Sequence, residues 1–279
     1  MATVNPTRSV LPHVSDAPVD SEEFPGKRSM RPPLWWPLVA WFGALAACQC
    51  CDLDLRTSAW FVGNSAAPWP LHRVPAWLWF DRLATLPGLI LGCLGIALVV
   101  ASGLDRSFVR HRRLGLFLAL SLALGPGLVV NLGFKTLWGR PRPYQLTEFG
   151  GHLEHKPVWS PDELRYNSSF PSGHASLGFF LMVPALAAWH RPREARFWLA
   201  LGLTAGAAIG ASRVVQGRHF VTDVIGSVGI VYFSALAVFC TLGFMRLPIE
   251  RSLGFHRALG NLISAGGDLA TKSTAPKRI

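Results

Sequence analysis

The sequence predicts an all-α fold, a polytopic membrane helix bundle with six transmembrane helices. Three observations carry this. Half of the 279 residues are hydrophobic and only 15 % are charged, where a soluble domain carries about 25 % charge. The apolar residues gather into six runs separated by more polar stretches. Of the eleven tryptophans, most stand near the ends of those runs, Trp35, Trp36, Trp138, Trp189 and Trp198 among them, as interfacial anchors do.

Taken in order, the runs cover residues 34–51, 83–102, 114–134, 174–190, 197–211 and 224–243. Crossing the hydrocarbon takes about 20 residues. The fourth and fifth runs are short by that standard, and their reading as spans leans on the others. In the third, Pro126 between Gly125 and Gly127 removes a backbone donor and predicts a kink. The fifth carries Gly202, Gly206 and Gly210 at four-residue spacing, which reads either as one helix face for close packing or as ordinary small-residue content in an apolar helix. Residues 1–33 are polar, proline-rich and without periodicity. They read as a flexible cytoplasmic tail, 34–243 as the six-helix transmembrane domain, and 244–279 as a cytoplasmic C-terminal tail.

Six spans put both termini on one side. That side carries 17 of the 27 Lys and Arg residues, and the compact loop DRSFVRHRR, Asp105 to Arg113, is its strongest feature. The positive-inside rule therefore predicts cytoplasmic termini. The formal charge of +11 is spread between apolar runs and forms no basic face, so nucleic acid is not the expected partner. Secretory cleavage is not expected either, since no signal with a cleavage site opens the sequence. Cys48, Cys50, Cys51, Cys93 and Cys240 fall in apolar stretches with no second ligand pair at zinc spacing, which predicts buried small hydrophobes.

On this topology the polar clusters converge. Lys135 follows the third run, His174 opens the fourth, Ser212 and Arg213 close the fifth, and His219 and Asp223 precede the sixth. All of these ends lie at the non-cytoplasmic face, so one site is expected there. Lys135, Arg142 and Arg213 are three cations without obvious carboxylate partners in their own stretches. Arginine forks match phosphate oxygens and lysine adds a point charge. Ser172 and Gly173 stand at an expected helix start, where backbone N–H groups favour an anion. His219 and Asp223 are four residues apart. A helix beginning near Arg218 would put them on one face, the carboxylate holding one imidazole nitrogen and leaving the other free to attack. His174 would protonate the leaving alkoxide. Any one of these residues alone reads as an interfacial anchor, a surface histidine or a helix cap; together, on one face, they read as a phosphate site.

These residues carry a resemblance. KTLWGRPRP from Lys135 to Pro143, PSGH from Pro171 to His174, and SRVVQGRHFVTD from Ser212 to Asp223 match in order the three-part signature K-x6-RP, PSGH and SR-x5-H-x3-D. The chain resembles the type 2 phosphatidic acid phosphatase (PAP2) superfamily, which includes the vanadium haloperoxidases and bacterial acid phosphatases. The resemblance spans about residues 80–243. It implies a PAP2/haloperoxidase-like helical core. Lys135, Arg142 and Arg213 would bind phosphate together with Ser172 and the backbone of Gly173. His219 would be the nucleophile that forms a phosphohistidine, Asp223 would orient it, and His174 would be the general acid. It implies no cofactor and no metal.

The expected function is a metal-independent lipid phosphate phosphatase acting on a phosphomonoester or diphosphate at the outer face of a bacterial inner membrane. The expected partner is a phosphorylated membrane lipid: undecaprenyl diphosphate, phosphatidylglycerol phosphate, phosphatidic acid or lipid A. The Trp-rich stretch before Asp81 and the loop around FGGH look like those of lipid A phosphatases. Lipid-to-lipid phosphotransfer through the same histidine is the second reading, and a non-catalytic membrane scaffold the third. Specificity is expected in the loop 144–170. Its His152, Glu154 and His155 read as ordinary loop residues before they read as metal ligands, and Arg140 reads as an interfacial cation before it reads as a contact to a second phosphate or a sugar.

Overall fold

A computed structural model describes residues 34–64, 68–72, 74–162 and 167–244; the expected tails, 1–33 and nearly all of 244–279, lie outside them. Among the described residues the chain is helical, with one isolated bridge between Leu146 and Leu153 and no extended sheet. An apolar run in a membrane must satisfy its own backbone groups, and a helix does so within one segment.

The first run forms α1, Trp35–Cys50, followed by the short α2, Leu53–Ala59, with a bend of 62° between them. Asp52 between them takes a left-handed backbone at φ 49°. The helix α3, Pro75–Leu104, starts well before the expected residue 83. Pro75 suits its first turn, where the missing N–H costs nothing, and the stretch from Ala76 onward continues the helix. That extension puts Asp81 on a helix instead of in a loop.

The third run is α4, Arg112–Leu122, a π-helical stretch Ala123–Phe134, and α5, Lys135–Leu137. The expected disturbance at Pro126 takes the form of this wider π-helical winding, a frequent device at functional sites. Asn131 Nδ2 donates to the Pro126 carbonyl at 2.6 Å. After short turns at Pro143–Gln145 and Thr147–Phe149, the fourth run forms α6, Gly173–Phe180, and α7, Pro184–Ala187. The chain then runs through α8, Pro192–Val215, and α9, Val221–Thr241.

Four helical stretches are long and apolar enough to cross a membrane: Pro75–Leu104, Arg106–Leu137, Pro192–Val215 and Val221–Thr241. The α1–α2 pair makes five if the bent pair is one span, and Gly173–Ala187 is a shorter apolar helix. At 1.5 Å per residue such a helix reaches about 22 Å, short of the roughly 30 Å of hydrocarbon. The expected fourth segment lies at the buried centre of the bundle. Ala175, Phe179, Phe180, Met182 and Val183 are all 4 % exposed or less, and α6 packs against α3, α8 and α9.

Small residues permit that packing. A Cβ on Gly202 would lie 2.2 Å from the Met182 backbone nitrogen, and one on Gly206 would lie 2.2 Å from the Phe179 ring. The glycine stripe in α8 is thus the seat for α6 and the turn that follows it. Two expectations are corrected. Cys48 is buried, while Cys50, Cys51, Cys93 and Cys240 are exposed on their helices. Trp198 lies in the core with 8 % exposure, because it faces the α6–α7 side of α8 and not the periphery.

Candidate active site

The functional side chains come from the ends of helices. Lys135 ends the π-helical stretch and opens α5; Gly173 and His174 open α6; Arg213 closes α8; His219 lies in the turn before α9; Arg142 precedes the Pro143–Gln145 turn. Together they line a cavity of about 410 Å³, with Thr85, Asn131, Asn167 and Leu177 completing its wall. The structure therefore brings Lys135, Arg142, Gly173, His174, Arg213 and His219 to one place. Ser172 and Asp223 stand behind the wall, each fully buried. The Ser172 hydroxyl accepts from the Ala175 N–H at 3.4 Å, capping α6, as a serine at that position does.

Each cation is held by neighbours. Lys135 Nζ donates to the Ser168 carbonyl at 2.6 Å. Arg142 Nη2 donates to Asn167 Oδ1 at 2.6 Å, and Asn167 adopts a left-handed backbone at φ 71° to reach it. Arg213 Nη1 donates to Asp81 Oδ2 at 2.5 Å. Arg213 takes its carboxylate partner from outside its own stretch. Asp81 sits on α3, far away in sequence, and also accepts from Ser212 Oγ at 2.6 Å and Gln216 Nε2 at 2.9 Å. The Arg213 Nε group is buried without a partner.

The His219–Asp223 geometry differs from the expected helical face. α9 begins at Val221, so His219 lies in the preceding turn and Asp223 in the first turn of the helix. Gly217, at φ 68°, makes the reversal, and a Cβ there would meet the Trp69 ring at 2.4 Å. The result still pairs them. His219 Nδ1 lies 3.4 Å from Asp223 Oδ2, without an aligned hydrogen bond between them. Asp223 Oδ2 accepts from the Phe220 N–H at 2.9 Å. The His219 ring also lines the cavity.

Arg140 is not the interfacial cation expected of it. It is 1 % exposed and donates to Asp223 Oδ1 at 2.6 Å, to Thr222 Oγ1 at 2.8 Å and to Asp54 Oδ2 at 2.8 Å. Its short distance in sequence from Arg142 hid an opposite orientation, since Pro141 lies between them. Asp54, Asp81, Asn131 and Asn167 were also missed. The signal for Asp81 was available: it stands among the apolar residues around Trp79 and Leu83, and an ionisable residue inside such a stretch marks a paired or functional position.

Burial holds His219 well below its ordinary histidine value, and the nearby Lys135, Arg142, Arg213 and His174 push the same way. The imidazole is therefore neutral near pH 7, the form in which it is a nucleophile. His155 is lowered too, by burial first and by Arg140 second; its ring meets Phe220 edge-on at 5.5 Å. Among the described residues no group of three His, Cys, Asp or Glu side chains is placed to hold a metal. Three cations around a cavity faced by a neutral histidine make a receptacle for an anion of high charge density.

Fold and cavity thus define a membrane helix bundle fitted to hold a phosphate-like anion. Comparison with known proteins narrows the class. A family model described as the PAP2 superfamily matches residues 114–245. The lipid A 4'-phosphatase of Rhizobium leguminosarum is 31 % identical over 232 residues, which cover 75 % of this chain and 91 % of that protein. The lipid A 4'-phosphatase of Francisella tularensis subsp. novicida (strain U112) is 36 % identical over 142 residues, covering 50 % of this chain. The chain spans 63 % of that relative's length. The lipid A 4'-phosphatase of Rhizobium etli is 34 % identical over 124 residues, covering 44 % of this chain and 46 % of its own. No solved structure matches the chain. The chain belongs to the PAP2 superfamily and is a relative of its lipid phosphatases.

Proposed function

We propose that this protein is a hydrolase that removes a phosphate from a membrane lipid, through a phosphohistidine on His219, without a metal ion. The observation that carries the reading is the cavity in which Lys135, Arg142 and Arg213 surround His219. A bound phosphate group would take its charge balance from those three side chains and from the first N–H groups of α6. His219 attacks phosphorus through the ring nitrogen that faces the cavity, while its Nδ1–H stays toward Asp223. The N–P bond forms as the bond to the lipid oxygen breaks, and His174 gives that oxygen its proton. Water, deprotonated by His174, then attacks phosphorus, the N–P bond breaks, and inorganic phosphate leaves. His174 ends with the proton it gave, and His219 is neutral again.

The substrate we propose is lipid A, at its 4'-phosphate, because the three relatives bear that name. Six membrane segments, with α1–α2 and α6–α7 counted among them, cytoplasmic termini and a site at the periplasmic face of the inner membrane belong to the same proposal. The distribution of Lys and Arg supports it. The test is phosphate release by the purified protein in detergent with EDTA. Lipid A, undecaprenyl diphosphate, phosphatidylglycerol phosphate and phosphatidic acid are compared. Release from lipid A at least tenfold above the others, leaving the 1-phosphate in place, is expected. Preference for another of these lipids would overturn the substrate, and silence with all of them would overturn the hydrolase reading.

A further inference from the structure

We infer that Arg140 and Asp54 are positioning residues that fix the orientation of Asp223 and, through it, of His219. This deepens the phosphohistidine reading and rests on it. Arg140 does not line the cavity, so it is no phosphate ligand. All of its fork is spent behind the site. Nε donates to the Lys156 carbonyl at 3.0 Å, Nη1 to Thr222 Oγ1 and Asp223 Oδ1, and Nη2 to Asp54 Oδ2. The guanidinium also stacks over the Phe220 ring, 4.4 Å from its centre, next to the nucleophile in sequence.

The consequence for Asp223 is a division of labour between its two oxygens. Oδ1 is committed to Arg140, and Oδ2 accepts from the Phe220 N–H and faces His219 Nδ1. The carboxylate cannot rotate without breaking the Arg140 bond, which is charge-assisted and fully buried. Asp54 completes the arrangement. Its Oδ1 accepts from the Thr222 N–H at 3.0 Å and its Oδ2 from the Thr222 hydroxyl at 2.5 Å. The single hydroxyl proton of Thr222 goes to Asp54, so its oxygen is free to accept from Arg140. Asp54 thus anchors the first turn of α9 between His219 and Asp223 from outside that helix. Arg140 lies between the two buried carboxylates, 2.8 Å from Asp54 Oδ2 and 2.6 Å from Asp223 Oδ1, and so ties the position of one to the other.

The test uses the full-length protein in detergent, with Arg140→Gln, Arg140→Lys and Asp54→Asn alone and Asp54→Asn combined with Arg140→Gln. Two readouts are taken: kcat and KM on lipid A, and the ring-nitrogen NMR signals of His219 in 15N-histidine-labelled protein, assigned with His219→Ala. Wild-type protein is expected to hold the Nδ1–H tautomer. Arg140→Gln is expected to mix the tautomers and to lower kcat about 100-fold, the cost of a misplacement near 1 Å, with KM within about twofold. Arg140→Lys keeps the charge but not the fork and should recover about a tenth of wild-type kcat. Asp54→Asn should cost about tenfold alone and less than about twofold in the Arg140→Gln background, since residues acting through one another are not additive. If Arg140→Gln fails to insert, the isosteric Asp54→Asn carries the same two readouts. A kcat/KM within twofold of wild type with unchanged ring signals would overturn the inference. If lipid A is not turned over by wild type, the substrate reading fails, and the tautomer shift alone still decides the relay.

Discussion

Asp81 offers the sharpest test of how the cavity is held together. Its carboxylate accepts from Arg213, Ser212 and Gln216 at 2.5, 2.6 and 2.9 Å, and all four residues are buried. Replacing it by alanine removes one partner of a buried ion pair and leaves Arg213 charged and without its acceptor. Such a loss costs about 3–5 kcal/mol. At about 2–4 °C per kcal/mol for a chain of this size, the unfolding temperature should fall by roughly 6–20 °C. The measurement is a thermal unfolding scan of purified protein in detergent, followed by tryptophan fluorescence. Inorganic phosphate supplies a discriminating second arm. An anion at Arg213 replaces the missing negative charge, so phosphate should raise the transition of Asp81→Ala more than that of wild type. A fall below about 2 °C, or equal phosphate effects in both proteins, would refute the claim that Asp81 is the counter-charge of Arg213.

Three further outcomes are expected. The pH profile of kcat/KM should be bell-shaped. Attack needs neutral His219 and departure needs protonated His174, and burial and the neighbouring cations hold His219 well below its ordinary value. The acid limb that belongs to the enzyme should therefore lie below about pH 6.5, the ordinary histidine value; steady-state rates corrected for substrate ionisation check this. His174→Ala should lower kcat by about 10²–10⁴-fold, with much of the loss recovered on a lipid analogue whose leaving group needs no proton. Gly206→Val places methyl groups where the Phe179 ring stands 2.2 Å from the first added carbon; the strain should cost about 1–3 kcal/mol, read as a lower unfolding temperature.

The sequence was most informative where side chains act in a fixed short register. PSGH and SRVVQGRHFVTD each place their residues within one turn or one helix start, so Gly173, His174, Arg213 and His219 come to the cavity as a matter of local geometry. The long apolar runs were legible for a similar reason, since a helix must satisfy its backbone within the segment. The π-helical winding at Pro126 was foreseen as a disturbance though not in form. Partners across the bundle were not legible. Asp81 reaches Arg213 and Asp54 reaches Arg140 over long sequence separations. One sequence shows that an aspartate interrupts an apolar run, but not which cation answers it. Arg140 and Arg142 are two residues apart yet face opposite ways, one to the protein interior and one to the cavity. The setting of the short fourth run was not legible, because burial in protein and burial in lipid select the same residues; the packing of α6 against three other helices shows only in the structure.

The central claim is that His219 carries the phosphoryl group. The most direct measurement is a rapid quench into alkaline detergent of the purified protein reacting with lipid A labelled with 32P at the 4' position. The protein is then tested for an acid-labile, base-stable protein-bound label. The account predicts label on wild-type protein within the first turnover, mapped to the peptide that contains His219, with none on His219→Ala and no phosphate released by that variant. Phosphate release at the wild-type rate by His219→Ala would contradict it.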